Sequence, residues 1–326
     1  MASKGPVDIP AARAAMQAFN KAALEALPPI AETIEEHDIH IPTRDGWQSR
    51  TKIVCPKANV DAKRALYVHF YGGGFMVGEP EDMINVARAF AEEYGIVVAL
   101  PSYRLVPEVK WPIPHQDAWD VVAWLSAHAE KELGANLKEG FLVGGASAGA
   151  MVAVAVGALA MFPDSEEAQE TTTPKLAHPL TGQFLNTPMT VCEETVPVEY
   201  KSLWTAHEDN KNAEGLNTAA LEMVLKVLQL TPSDFTSLWC SPVPELIKRE
   251  PVNKFPIYME HCQFDAMRDD VTVYAKVLES RGVRVKTQFF PEDNHAGWVL
   301  GGRPGIKGDF KSAGMAGMKW LLSTPE

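Results

Sequence analysis

The sequence predicts an α/β fold: a mostly parallel, doubly wound sheet with a helical insertion that forms a cap. Two predicted strands, Ala65–Tyr71 and Ile96–Leu100, are nearly continuous apolar runs, as expected for strands covered on both faces. Helical patterns separate these strands from each other and from the next strand, which begins at Phe141. The alternation stops after about residue 187 and resumes after about residue 249, which indicates an insertion.

The N-terminal part predicts an amphipathic helix over Ile9–Leu27 and an antiparallel hairpin of the strands Ile34–Ile41 and Arg50–Cys55. Further on, the polar stretch Asp164–Thr173 is predicted as a loop. The rest of the alternation predicts the helices Met83–Tyr94, His115–Glu132, Met267–Arg281 and Phe310–Leu322, and the strands Leu180–Leu185, Pro256–His261 and Arg284–Phe290.

The predicted cap holds a helix over Ala213–Leu228 and a short second helix that opens at Thr231. We therefore divide the chain into an N-terminal segment contributing to the cap (1–45), a catalytic domain (46–186 and 250–326) and a helical cap insertion (187–249).

Composition restricts the class of partner. The 326 residues carry a net charge of −12, which argues against nucleic acid or an anionic membrane surface as partner. The four cysteines are far apart, so neither a metal site nor a cofactor is indicated. No apolar stretch resembles a signal peptide or is long enough to span a bilayer, and we expect a cytoplasmic protein.

The chemistry centres on the pentad Gly145-Ala146-Ser147-Ala148-Gly149, which follows a predicted strand and opens a predicted helix. This G-x-S-x-G pattern is typical of the nucleophile elbow of α/β-hydrolases, where a strained turn exposes the serine at a helix N-terminus. The small residues at either side of Ser147 let the strand and the helix pass closely.

A nucleophilic serine needs a base, and the base needs an orienting carboxylate. Asp265 and His295 follow the last two predicted strands, where the carboxyl ends of parallel strands place ligand-binding loops. Rival acids exist: Asp269 and Asp270 are expected on the helix surface as capping or solvated groups, and Asp293 is too near His295 in sequence to orient it easily. The other histidines considered occupy positions less suited to the base: His69, His115, His178, His207 and His261.

At this point the sequence resembles the hormone-sensitive-lipase-like family of carboxylesterases, within the α/β-hydrolase fold. The blocks that carry the resemblance span roughly residues 65 to 300: Tyr71-Gly72-Gly73-Gly74-Phe75, Tyr103-Arg104-Leu105-Val106-Pro107-Glu108 with Pro112 and Asp117, the elbow, Phe264-Asp265-Ala266-Met267-Arg268-Asp269-Asp270, and Asn294-His295-Ala296-Gly297-Trp298.

The resemblance implies a role for each matching position. Ser147 would be the nucleophile, His295 the general base and then acid, and Asp265 the group that fixes the imidazole tautomer. The N–H groups of Gly73, Gly74 and Ala148 would form the oxyanion hole. Relatives often dimerise and the last sheet strand offers an edge for pairing, so the oligomeric state stays open between a monomer and a homodimer.

Two positions depart from the family pattern: Tyr71 replaces the histidine of the glycine loop, and Ala146 replaces the aspartate of the elbow. Neither supplies a triad atom, and hydrolysis remains the expected reaction. A phenol near the pocket would also be compatible with an alternative, a lyase, dehydratase or cyclase in which Tyr71 and His295 move protons.

The pocket is expected between the sheet edge and the cap. Candidate lining residues are Tyr71, Phe75, Phe184, Trp204, Trp239 and Trp298. Packing in the core is an open alternative for Phe184 and the three tryptophans. The cap sequence is mixed and acidic, unlike an exposed apolar lid. We therefore expect a small or medium soluble ester as the substrate.

Overall fold

The computed structural model describes residues 8–58, 62–295 and 306–323. The strands are β1 (Ile34–Pro42), β2 (Gln48–Pro56), β3 (Leu66–Phe70), β4 (Val97–Pro101), β5 (Phe141–Ala146), β6 (Gly182–Asn186), β7 (Ile257–Phe264) and β8 (Val285–Asn294). The helices are α1 (Ile9–Glu25), α2 (Ile84–Tyr94), α3 (Ile113–Leu133), α4 (Ala148–Met161), α5 (Glu166–Gln169), α6 (Ala206–Asp209), α7 (Thr218–Leu228), α8 (Val243–Lys248), α9 (Arg268–Ser280) and α10 (Phe310–Leu322). Short 3₁₀ helices cover Pro80–Met83, Val198–Leu203 and Pro232–Thr236.

The strands form one eight-stranded sheet in the order β1-β2-β4-β3-β5-β6-β7-β8. The first two strands form the predicted antiparallel hairpin, and β2 is antiparallel to β4. All other neighbouring pairs are parallel. The predicted mostly parallel sheet is therefore confirmed, and the carboxyl ends of β5, β6, β7 and β8 meet at one edge.

Helices cover both faces of the sheet, as two consecutive residues of β6 show. The Gln183 side chain donates to the Ala153 carbonyl of α4, whereas the Phe184 ring packs against Phe90 of α2. Neighbouring residues of a strand point to opposite faces, so α4 and α2 lie on opposite sides of the sheet. The Tyr94 hydroxyl of α2 also donates to the Met315 carbonyl and joins α2 to α10.

The segment between β6 and β7, which includes residues 187–249, carries helices and no strand. Its main helix, α7, starts later than predicted, at Thr218 rather than Ala213. The Asn217 side chain accepts a hydrogen bond from the Ala220 N–H at 3.0 Å and caps the helix there. Residues 213–217 form a turn and loop instead, and Gly215 has a φ of +89°.

Two further boundaries differ from the prediction. The stretch 164–173 is not only loop, because the Ser165 side chain accepts from the Ala168 N–H and starts the one-turn helix α5. The N-terminal segment 1–45 does not act as a unit, since β1 is hydrogen-bonded into the main sheet. Within that segment, α1 lies against the cavity described below.

Candidate active site

The turn between β5 and α4 holds Ser147 in a strained conformation, with φ 55° and ψ −120°. Small neighbours are a steric requirement here. A Cβ on Gly145 would lie 2.2 Å from the Gly149 carbonyl oxygen, and one on Gly149 would lie 2.1 Å from the Phe70 carbonyl oxygen. The turn therefore exists only because both flanking positions are glycine, and it places the serine at the start of α4.

Three loops bring the predicted nucleophile, base and acid together. The His295 Nε2 lies 2.7 Å from the Ser147 Oγ, and the His295 Nδ1 lies 2.7 Å from an Asp265 carboxylate oxygen. Asp265 is fully buried, so its carboxylate must be matched by donors. The arrangement favours the tautomer in which Nδ1–H donates to the carboxylate and Nε2 accepts the serine proton.

The acid loop is held by its neighbours. The second carboxylate oxygen of Asp265 accepts from the Met267 N–H at 2.9 Å. From the cap, the Asn210 side chain donates to the carbonyls of Asp265 and Gln263 at 2.9 and 3.1 Å. Sequence reasoning missed Asn210, because no local pattern marks a residue that reaches a loop 55 positions away.

Two rival acids are buried and hold the segment between β6 and β7, so the expectation that they face solvent is wrong, whereas Asp269 does cap a helix, the N-terminus of α6. Asp269 accepts from the N–H groups of Thr205 and Ala206 at 2.8 and 2.7 Å. Asp270 accepts from the Thr190 N–H at 2.8 Å and from the Trp204 indole at 3.1 Å. Burial raises the pKa of Asp270 to about 7 against the effect of these donors.

The third rival, Asp293, also has a structural partner. Its carboxylate accepts from the backbone N–H groups of Lys307 and Gly308 at 2.7 and 2.8 Å. Among the other histidines, His69 is a core residue, 1% exposed, whose Nδ1 lies 2.5 Å from the Tyr67 hydroxyl. These contacts leave Asp265 and His295 as the groups that the fold directs at Ser147.

The predicted oxyanion residues lie beside the serine. Gly73 and Gly74 have φ values of +118° and +60°, a region that residues with a Cβ resist. A Cβ on Gly73 would also lie 2.2 Å from the Val77 carbonyl oxygen. Ala148 is the first residue of α4, where an N–H has no acceptor within the helix. All three residues line the same cavity as Ser147.

The cavity at Ser147 has a volume of about 360 Å³ and mostly apolar walls. Phe75 lines it, as predicted. Six of the chain's 12 methionines also line it: Met16, Met76, Met83, Met151, Met223 and Met267. They come from six separate segments, so no local sequence pattern could have identified them.

Tyr71 does not reach this cavity, which corrects the prediction that its phenol lines the pocket. Its ring is 2% exposed, stacks on Tyr103 with centroids 4.5 Å apart, and donates from its hydroxyl to the Tyr103 carbonyl at 3.3 Å. In return, the Tyr103 hydroxyl donates to the Tyr71 carbonyl at 2.9 Å. Burial raises the pKa of Tyr71, so the phenol stays neutral beneath the glycine loop.

The predicted tryptophan contacts also need correction. Trp204 is absent from the described lining of the cavity and donates to Asp270 instead. Phe184 and Trp239 are buried in the core, the open alternative for both. Trp298 lies outside the described residues.

Two other features are absent from the described part of the chain: a metal-binding cluster and a membrane-spanning helix. Within the ranges 8–58, 62–295 and 306–323, no three His, Cys, Asp or Glu side chains are grouped so as to hold a metal ion. In the same ranges, no helix has the length and apolar character needed to cross a membrane.

Comparison with known proteins agrees with this geometry. A protein family described as alpha/beta hydrolase fold matches residues 67–299. The chain is 31% identical over 255 residues to a versiconal hemiacetal acetate esterase of Dothistroma septosporum, covering 78% of this chain and 72% of the relative.

Two solved structures share the fold. A vibralactone cyclase superposes with a TM-score of 0.80 at 24% identity, covering 99% of this chain and 91% of the other. A bacterial heroin esterase superposes with a TM-score of 0.77 at 23% identity, covering 97% and 91%.

Proposed function

Because the chain belongs to the hormone-sensitive-lipase-like carboxylesterases of the α/β-hydrolase fold and is a carboxylic ester hydrolase, we propose that it cleaves a small or medium soluble ester through an acyl-enzyme on Ser147. The observation that carries the proposal is the hydrogen-bonded chain from Ser147 through His295 to the buried Asp265. The similarity to a relative named for an acetate ester supports a short acyl group.

In the proposed mechanism, His295 accepts the hydroxyl proton while Ser147 attacks the ester carbonyl. The N–H groups of Gly73, Gly74 and Ala148 stabilise the oxyanion. The imidazolium then protonates the leaving alcohol, and water deacylates the enzyme by the same proton transfers in reverse. Asp265 holds the tautomer and stabilises the imidazolium throughout.

The first experiment measures hydrolysis of p-nitrophenyl acetate, butyrate and octanoate by the wild type and by Ser147→Ala. We expect turnover that favours the shorter chains and a kcat lower by at least about 10⁴-fold in the variant, because triad members act as a unit. Ser202→Ala, which removes an exposed hydroxyl, should match the wild type. Turnover that persists in Ser147→Ala would exclude the mechanism.

The alternative reaction, a lyase or cyclase in which Tyr71 moves a proton, has no support from the position of that phenol. The hydroxyl donates to the Tyr103 carbonyl, and the buried Tyr71 is not among the described residues that line the cavity. The structural likeness to a cyclase concerns the fold alone. Ester hydrolysis is accordingly the function that the geometry supports best.

Two further properties belong to the proposal. The described cysteines are all unpaired, which supports a reducing, cytoplasmic location. The last strand of the sheet, β8, exposes 40% of Phe289, which supports a homodimer along that edge. Light scattering after gel filtration tests the second property: a dimer should become monomeric in Phe289→Lys, and a wild-type monomer would exclude it.

A further inference from the structure

The mechanism leaves one ionisable group of the catalytic cavity without a role. Asp82, at the end of the 3₁₀ helix Pro80–Met83, lines the cavity that contains Ser147. Among the described residues, it is the one carboxylate in that lining. A carboxylate in a mostly apolar wall carries a desolvation cost unless a donor or a cation compensates it.

Asp82 belongs to a small group of acceptors in which Asn20 is buried and Glu79 and Asp82 are partly buried. The Asn20 side-chain amide of α1 donates both to Asp82 and to Glu79, the latter at 2.9 Å. Asn20 is 1% exposed, yet its own carbonyl oxygen has no hydrogen-bond partner among the described residues. A buried acceptor without a donor raises the free energy of the folded protein. Asn20 carries this acceptor on the same side chain whose amide nitrogen contacts the two carboxylates.

The group also lacks a balancing cation in the described part of the chain. The nearby Arg50 and Lys52 are directed at Glu81 and Asp38. Within the described ranges, the donors to Glu79 and Asp82 are all neutral: the Asn20 amide and, for Asp82, a backbone N–H. Burial, and then the negative charge of Glu79, raises the pKa of Asp82 to about 7, as expected for a carboxyl group with no positive partner.

The position of the group suits a substrate contact. Met16 of α1 lines the catalytic cavity and also a second cavity of about 500 Å³, which Asn20 and Glu79 line as well. The acceptors therefore lie where the two cavities adjoin, at the α1 end of the catalytic cavity. A substrate tail that extends from the ester past Met16 would meet them.

We propose that Asn20, Glu79 and Asp82 form a polar subsite that binds a hydrogen-bond donor on the substrate, a hydroxyl or an ammonium group remote from the scissile ester. The inference rests on the proposed esterase function and specifies its substrate class. The three side chains offer more acceptors than the one Asn20 amide can satisfy, so they match a substrate group that carries hydrogen-bond donors. A carboxylate or a phosphate on the substrate would be repelled by Glu79 and Asp82.

The test compares esters that differ only in the tail. On the acyl side, p-nitrophenyl hexanoate, 6-hydroxyhexanoate and 6-aminohexanoate are compared, and on the alcohol side, hexyl and 6-hydroxyhexyl butyrate. Relative to the unsubstituted ester, we expect kcat/KM to rise about fivefold for the hydroxyl, as for one added hydrogen bond, and roughly 20-fold for the ammonium group, whose charge adds to that bond. The larger of the two gains identifies the natural donor.

The variant Asp82→Asn keeps the size of the side chain and removes its charge. We expect the preference for the substituted esters to fall to within about twofold of unity. Glu92→Gln, which neutralises an exposed carboxylate on α2, is the matched control and should keep the wild-type preference. If Asp82→Asn does not fold, Asn20→Ala serves as the second variant and should reduce the same preference by about threefold.

Two outcomes would overturn the subsite. In the first, the wild type prefers the substituted esters on neither the acyl side nor the alcohol side. In the second, the wild type has such a preference, but Asp82→Asn and Asn20→Ala leave it unchanged. Both are separate from failure of the esterase mechanism, because hydrolysis of unsubstituted hexanoate through Ser147 is measured in the same series.

Discussion

At the scale of single residues, the catalytic geometry depends on the burial of Asp265. A fully buried carboxylate beside an imidazole fixes which ring nitrogen carries the proton, and therefore which one can accept from Ser147. The Met267 N–H and the Asn210 amide hold the acid loop, so the acid is positioned by both the catalytic domain and the cap.

The variant Asp265→Asn tests this dependence. The amide should present an N–H to His295 and favour the wrong tautomer, so we expect kcat to fall by about 10³- to 10⁴-fold with little change in KM. Steady-state kinetics on p-nitrophenyl butyrate measure the effect. Asp164→Asn, which alters an exposed carboxylate paired with Arg249, is the control and should keep wild-type kinetics. A fall below tenfold for Asp265→Asn would contradict the assigned role.

Tyr71→Phe separates the structural role of the phenol from a chemical one. The hydroxyl donates to a buried carbonyl, so its loss should destabilise the protein by about 1 kcal/mol. Since the phenol does not reach the cavity, kcat for butyrate hydrolysis should stay within about twofold of the wild type. Urea unfolding and kinetics on the same preparation check both values. A folded variant without activity would return proton transfer by Tyr71 to consideration.

At the scale of elements, the elbow between β5 and α4 depends on steric exclusion. In Gly149→Ala, the new methyl group would overlap the Phe70 and Tyr71 carbonyl oxygens, at 2.1 and 2.3 Å. We expect a loss of more than about 3 kcal/mol in the free energy of unfolding, since backbone rather than a flexible side chain must move. Urea titration measures it.

The matched control is Gly46→Ala in the β1–β2 turn. Gly46 has a φ of +87° but nothing within 4 Å of the new methyl group, so only the conformational cost of about 1–2 kcal/mol applies. A loss of only about 1–2 kcal/mol in Gly149→Ala, equal to that in Gly46→Ala, would show that the backbone around the elbow yields to the methyl group and that the carbonyl contacts do not require glycine there.

The Arg13 guanidinium binds helix α1 to Met76, which follows the glycine loop, and to the segment 106–108. Arg13 donates to the carbonyls of Met76 and Val106 at 2.8 and 3.0 Å and forms a two-pronged ion pair with Glu108. The hydrogen bond from Arg13 lowers the pKa of Glu108 to about 2. Because the pKa of Glu108 is lowered in the folded protein, its carboxylate stabilises the fold at pH values above its ordinary pKa of 4.5. This stabilisation is lost as the pH falls towards 2.

Glu108→Gln should therefore be less stable than the wild type at pH 6 and equal to it near pH 2. The difference should stay below about 1 kcal/mol, because the Glu108 side chain is 60% exposed and the pair is screened by water. Thermal melts over this pH range measure it. A difference that grows as the pH falls would contradict the assigned ion pair.

At the scale of the whole molecule, the parallel sheet assembles the site. Ser147, Asp265 and His295 follow the strands β5, β7 and β8. The strands β5, β6, β7 and β8 are adjacent and parallel, so their carboxyl ends meet at one edge of the sheet. Residues 148 positions apart, Ser147 and His295, come within hydrogen-bond distance in this way. The inserted cap and α1 then enclose the edge and form the cavity.

The sequence by itself determined the parts that local patterns encode. Apolar runs and helical periods located the buried strands and the main helices, and the glycine-flanked Ser147 identified the elbow, because steric rules there depend on adjacent residues. Chain order and the blocks around Asp265 and His295 identified the partners of the serine.

Only the tertiary structure decided what surrounds these groups. It buried Tyr71 beneath the glycine loop, turned Trp204 towards Asp270, and joined Asn20 to Asp82 at the end of a cavity lined by methionines. Whether an aromatic or polar side chain faces a cavity depends on packing between segments that are distant in the chain. Local sequence patterns do not determine that packing.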